Sequence, residues 1–203
     1  PSGPTAKTNS TDGSSMMLFR KNKSETTPLR SGDKAPNFQL PSVQGGLFRL
    51  DMRMAQGPVV LAFVDAGEGG CELLEHLKKH EAEFQSAGAY KYYRPNPETR
   101  PAGRPHSSIG PTVAATVAVV VRAEAMGPVR EMQEQLEFPY YVLWDEAGRV
   151  SGKYGVAEGE ISTAVVGADG TLTWFSESTE PLQVEQILRV ILPEQDENPG
   201  PET

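Results

Sequence analysis

Pro58-Val59-Val60-Leu61-Ala62-Phe63-Val64-Asp65-Ala66-Gly67-Glu68-Gly69-Gly70-Cys71-Glu72-Leu73-Leu74-Glu75-His76-Leu77-Lys78-Lys79-His80, running on to Gly88, decides how the chain folds. Pro58 to Val64 is apolar and rich in β-branched residues, the pattern of a strand covered on both faces. Asp65 to Gly70 carries Gly67, Gly69 and Gly70, which tolerate positive φ and predict a tight turn. From Glu72 onward, Leu73, Leu74, Leu77 and Phe84 recur at helical spacing, with Glu72, Glu75, Lys78, Lys79 and Glu83 largely on the other side. That periodicity predicts an amphipathic helix. Cys71, the only cysteine, then falls in the first turn of the helix or at its cap. Unpaired amide hydrogens and the helix dipole favour a thiolate there, which makes Cys71 the candidate catalytic residue. The plainer reading is a small buried apolar side chain.

Upstream, Gly32 to Leu40 leads through Pro41-Ser42-Val43-Gln44-Gly45-Gly46 into Leu47-Phe48-Arg49-Leu50, two short extended pieces about a Gly-Gly turn. They predict a β-hairpin. Residues 1–30, rich in Ser, Thr, Gly, Asn and Lys, are expected to be a disordered tail. Downstream, residues 90–111 hold five prolines, the bases Lys91, Arg94, Arg100 and Arg104, and Tyr90, Tyr92 and Tyr93. Such a segment cannot be a helix or central strand, and it predicts a surface loop inserted in the domain. Its tyrosines beside arginines offer a patch for a protein partner, with a plain insertion as the alternative.

Beyond the loop, Thr116 to Val121 predicts a strand and Pro128 to Glu137 a helix, with Pro128 suited to its first turn. Tyr140 to Leu143 predicts a strand, and Asp145 to Tyr154 a short helix or turn closed by Gly155. Ser162 to Val166 and Leu172 to Phe175 predict a hairpin about Ala168-Asp169-Gly170. Leu182 to Leu192 predicts a last helix stopped by Pro193, and residues 194–203 an acidic loose tail. The domain is therefore expected over residues 31–193, with a mixed sheet and helices on both faces.

A net charge of -8 argues against a nucleic-acid partner, which needs an excess of Lys and Arg. One cysteine excludes an intramolecular disulfide framework and thiolate-rich zinc sites, and it suits a reducing compartment. No apolar run approaches the roughly 20 residues of a membrane span. The cytoplasm is the expected location. The first residue is Pro1 rather than Met, so a removed export signal stays open, and with it the reading of an exported accessory protein. His76 and His80 have the i, i+4 spacing of a metal pair, but nearby lysines compete and a solvated polar face is the expectation. No dinucleotide, phosphate-loop or Gly-x-Ser-x-Gly motif is present, and no cofactor is expected.

Three stretches resemble one family. Gly32-Asp33-Lys34-Ala35-Pro36-Asn37-Phe38-Gln39-Leu40 is similar to the "G-x-x-A-P-x-F-x-L" opening of the peroxiredoxins of the alkyl hydroperoxide reductase/thiol-specific antioxidant (redoxin) type. Val59 to Phe63 through Cys71 resembles their strand and active-site turn. Trp144-Asp145, Gly148-Arg149-Val150 and Lys153-Tyr154-Gly155-Val156 resemble a later family passage. The likeness covers roughly residues 31 to 192. It implies a thioredoxin-like three-layer α/β fold: a mixed central sheet, helices on both faces and an N-terminal β-hairpin.

The resemblance also implies a thiol peroxidase or antioxidant oxidoreductase. Cys71 would reduce a peroxide, a small thiol or thioredoxin-type protein would be the reductant, and a homodimer would be edge-to-edge or helix-to-helix. The helper residues are absent. The family's Pro-x-x-x-Thr-x-x-Cys places its proline at Val64 and its threonine at Glu68, and its late arginine near Glu160 or Ile161. Glu68, with Asp65 and Glu72, would repel a thiolate. A thioredoxin Cys-x-x-Cys fits no better. Glu68 or Leu74 would be the partner cysteine, and no proline lies between Pro139 and Pro181 for the one facing that site. Intramolecular dithiol exchange is excluded. A one-cysteine peroxidase and a catalytically inactive thioredoxin-fold module that binds or regulates a partner are the two readings left.

Overall fold

The computed structural model describes residues 29–86, 115–177 and 184–191. The tail expectations for residues 1–28 and 194–203 and the loop expectation for 90–111 lie outside the described residues.

A small hairpin comes first, β1 (Gln39–Pro41) paired antiparallel with β2 (Leu47–Arg49), as its Gly-Gly turn predicts. A five-residue helix follows directly, α1 (Leu50–Met54), where the sequence reading had an extended end. Its anchor is Leu50, completely buried. β3 (Val59–Asp65) is the centre of a five-stranded sheet in the order β5-β4-β3-β6-β7. β4 (Thr116–Ala123) and β5 (Tyr141–Glu146) run parallel to it. β6 (Ser162–Val166) is antiparallel to β3, and β7 (Leu172–Glu177) returns antiparallel along β6. The turn between β6 and β7 is longer than a two-residue Asp-Gly loop. Gly170, at positive φ, donates its N–H to the Gly167 carbonyl.

The unbroken apolar run of β3 has its cause in the layers on either side. Val60, Ala62 and Val64 face one core, shared with helices α2 (Glu68–Lys79), α3 (Glu81–Ser86), α4 (Met126–Leu136) and α6 (Val184–Ile191). Val59, Leu61 and Phe63 face the other core. The hairpin's Phe38, Leu40 and Phe48, with Leu50 of α1 and Val150 of α5 (Arg149–Lys153), pack there. Each side chain fully withdrawn from water in this way contributes about 1.5–3 kcal/mol before entropy is counted. The expected three layers are present.

Two boundaries around Cys71 differ from the sequence reading. Glu68, Gly69 and Gly70 are not part of the turn but form the first turn of α2, which starts four residues before Glu72. Close packing explains the glycine at position 70: a Cβ there would lie 2.6 Å from the Asp65 carbonyl oxygen and 3.3 Å from Met132 Sδ. The helix also does not run on to Phe84. It breaks at His80, and α3 carries Phe84 into the same core as a separate turn. Among the described residues no helix is long and apolar enough to cross a membrane.

Candidate functional site

β3 delivers the chain to the C-terminal rim of the parallel strands, where Ala66 and Gly67 turn it into α2. Gly67 is the N-cap at φ 150°, a value that only glycine reaches without strain, and no side chain caps this helix. Glu68 occupies the first helical position and is exposed, with no ion-pair partner among the described residues. Cys71 comes three residues later. Its amide is not one of the free ones expected from the sequence, because it donates to the Gly67 carbonyl at 3.0 Å. The amides without an in-helix acceptor are those that precede it. The thiol is free, half-buried and packed against the core of α2 and α4. It is neither walled in nor fully presented to solvent.

The helper positions read from the sequence can now be located. Ser162 is the register partner of Phe63, so Ile161 and Glu160 follow the chain beyond the start of β6, beside the end of β3. Among the described residues no arginine stands at those two positions. Ile161 packs on the apolar core, and the Glu160 carboxylate accepts the Ala157 N–H. A guanidinium does stand at this rim, but it comes from β4. Arg122 Nη1 lies 3.4 Å from Asp65 Oδ1, and Nη2 donates to the Val156 carbonyl at 2.7 Å. The other Asp65 oxygen accepts the Gly159 N–H at 2.6 Å.

The Asp65 carboxylate is therefore paired with a cation that the sequence reading did not assign to it. Asp65 also continues the side of β3 that carries Leu61 and Phe63, opposite the α2 layer. The strand predicted over Thr116 to Val121 stops one residue short of Arg122. Nothing local marks it, and only the parallel register, in which Asp65 and Arg122 are partners, brings the two together.

The His76 and His80 rings lie with their centres 4.8 Å apart, tilted 59° to each other, and His80 Nδ1 meets the Glu83 carboxylate. Among the described residues no group of three or more His, Cys, Asp or Glu could hold a metal ion. A hollow of about 370 Å³ between β1 and α5, and one of about 450 Å³ between the hairpin turn and α4, are not lined by Cys71.

No family model matches the chain, and no curated protein does. Solved structures do. The peroxidoxin BcpB of Mycobacterium tuberculosis is 20% identical, superposes with a TM-score of 0.58, and the match covers 80% of this chain and 96% of that one. A Chlorobium tepidum protein assigned as thiol:disulfide interchange protein DsbE is 20% identical over 81% of this chain and 99% of its own, at a TM-score of 0.59. The yeast mitochondrial 1-Cys peroxiredoxin is 14% identical over 80% of this chain and 75% of its own, at 0.55. The fold is thioredoxin-like, the one these redox proteins share.

Proposed function

We propose that the protein is a one-cysteine thiol oxidoreductase in which Cys71 reduces a peroxide. The observation that carries the reading is a half-buried, still accessible thiol in the first turn of a twelve-residue helix with no side-chain cap, at the C-terminal end of the central parallel strand. In that place the free amides of the first turn point their partial positive charge toward a developing thiolate. The thiolate attacks the O–O bond and becomes a sulfenic acid, and the departing oxygen leaves with a proton as water or alcohol. An external thiol then condenses with the sulfenic acid, releasing water and forming a mixed disulfide. A second thiol frees Cys71 and leaves as the external disulfide. No second cysteine exists to do this within the chain. The yeast neighbour is described as resolving its thiol via the glutathione/thioredoxin systems, and a reductant of either kind suits this scheme. The cytoplasm is the compartment we assign, since it supplies such thiols.

A second reading is favoured by one observation: Glu68, a carboxylate, holds the first helical position beside Cys71, and no arginine stands at Glu160–Ile161. On that reading the domain is a catalytically inactive binding module, for which residues 90–111 offer the partner surface. Dimedone trapping during hydrogen peroxide addition separates the two. The oxidoreductase forms a Cys71 sulfenic acid much faster than free cysteine does, and Cys71→Ser abolishes turnover with a thiol reductant. Reaction at the rate of free cysteine rejects the first reading and leaves the second.

A further inference from the structure

Asp65 is held from two directions. Its carboxylate binds Arg122 and the Gly159 N–H, tying down the connection that precedes β6, while its carbonyl backs directly onto Gly70 in the first turn of α2. Arg122 is doubly committed as well. Its carbonyl accepts the Ala66 N–H at 2.9 Å, and its side chain reaches Asp65 and the Val156 carbonyl. The guanidinium lies across Gly148, where a Cβ would come within 2.2 Å of Nε, so even the entry to α5 is shaped around it. The Arg122 side chain is only 15% exposed, and removing either partner would leave a charge, a carbonyl or an amide without its bond.

We propose that the Asp65–Arg122 pair is a clamp that joins the Val156–Glu160 connection to the β3–α2 junction and sets how far Cys71 is open to reagents. Segments held by one shared pair of side chains open together as a unit. Breaking the pair loosens the Asp65 backbone against which the first turn of α2 rests, and the thiol four residues beyond Gly67 gains access. The clamp governs access to the sulfur and not its reaction, so it stands apart from the peroxidase reading.

The test is alkylation of Cys71 by iodoacetamide, an uncharged reagent, in the full chain and in Asp65→Asn, Arg122→Met and the double variant. Hydrogen exchange at residues 65–74 and 156–161 is followed in parallel. Both single variants should alkylate about three- to tenfold faster, with exchange rising in both segments together, and the double variant should exceed neither. A through-space charge effect gives the opposite pattern, because Asp65→Asn removes a negative charge and Arg122→Met a positive one. Opposite signs, unchanged rates, or exchange rising at 156–161 alone would overturn the clamp. Arg122→Lys keeps the charge while giving up the second bond. It provides an intermediate rate if Arg122→Met does not fold, and a rate at the parent value would count against the proposal. Dimedone trapping on the same proteins reads the peroxide chemistry separately, and a thiol inert to peroxide but under clamp control rejects only that chemistry.

Discussion

Two strand-to-helix junctions at the same rim of the sheet are built in opposite ways. Where β5 passes into α5, Asp145 is completely buried, and its carboxylate accepts the N–H groups of Val150 and Ser151 and the Ser151 hydroxyl, all at 2.8–3.1 Å. The far end of that short helix is pinned by Tyr154, whose hydroxyl donates to the Pro36 carbonyl. A glycine stands at the cap of both helices, Gly148 at α5 and Gly67 at α2, but where β3 passes into α2 no side chain among the described residues takes up the free amides, and an exposed glutamate comes next. One junction closes its helix end with a carboxylate, while the other leaves its helix end open next to the only cysteine. A helix end capped by glycine instead of a hydrogen-bonding side chain forgoes only about a few tenths of a kcal/mol. The difference shows that this rim is not uniformly built for stability.

The sharpest way to break the contrast is to open the closed junction. Asp145→Ala strands two buried amides and a hydroxyl, and urea unfolding should show a loss of about 3 kcal/mol, with Asp145→Asn losing less. A loss under 1 kcal/mol would mean that the closed junction contributes little. At the open junction, Gly70→Ala forces a Cβ against the Asp65 carbonyl. Overpacking should outweigh the gain in helix propensity, for a net cost of about 1–2 kcal/mol and a changed rate of Cys71 alkylation.

Alkali attacks the closed side through Tyr154, whose phenol is pushed up by burial. Since its folded-state value lies above the unfolded one near 10, the contribution is fully present below about pH 10 and is lost as pH rises past it, by about 1.4 kcal/mol per pH unit. A Tyr154→Phe comparison across that range should show the shallower slope. The smallest effect on stability belongs to Glu68→Thr. This exposed site should change stability by less than about 0.5 kcal/mol, yet Cys71 oxidation by peroxide should quicken about two- to fivefold as the neighbouring negative charge is removed. Unchanged oxidation would show that Glu68 does not restrain the thiol.

Much of the fold was legible because the signals were local. Val59 to Val64 read as a doubly covered strand, Gly45-Gly46 as a hairpin turn, and Leu73, Leu74 and Leu77 as the buried stripe of a helix, and each stands where its pattern placed it. The misreadings have one cause. Gly70 looks like a turn residue in the chain, but the close approach of α2 to the end of β3 needs a residue without a side chain there inside the helix. Leu50 looks like the end of a strand, but its burial beneath the hairpin draws the following residues into α1. Arg122 looks like a strand terminator until the register puts it beside Asp65.

By its residues alone the chain determined a mixed sheet layered between helices, the single sulfur and its place near a helix start, because hydrophobic period and glycine position act over a few neighbours. Only the tertiary structure decided that the Cys71 thiol is half-buried and that Asp65 is paired with Arg122. Those are outcomes of strand register and of helix-on-sheet approach. They depend on atoms brought together from distant parts of the chain, and no local pattern carries that distance.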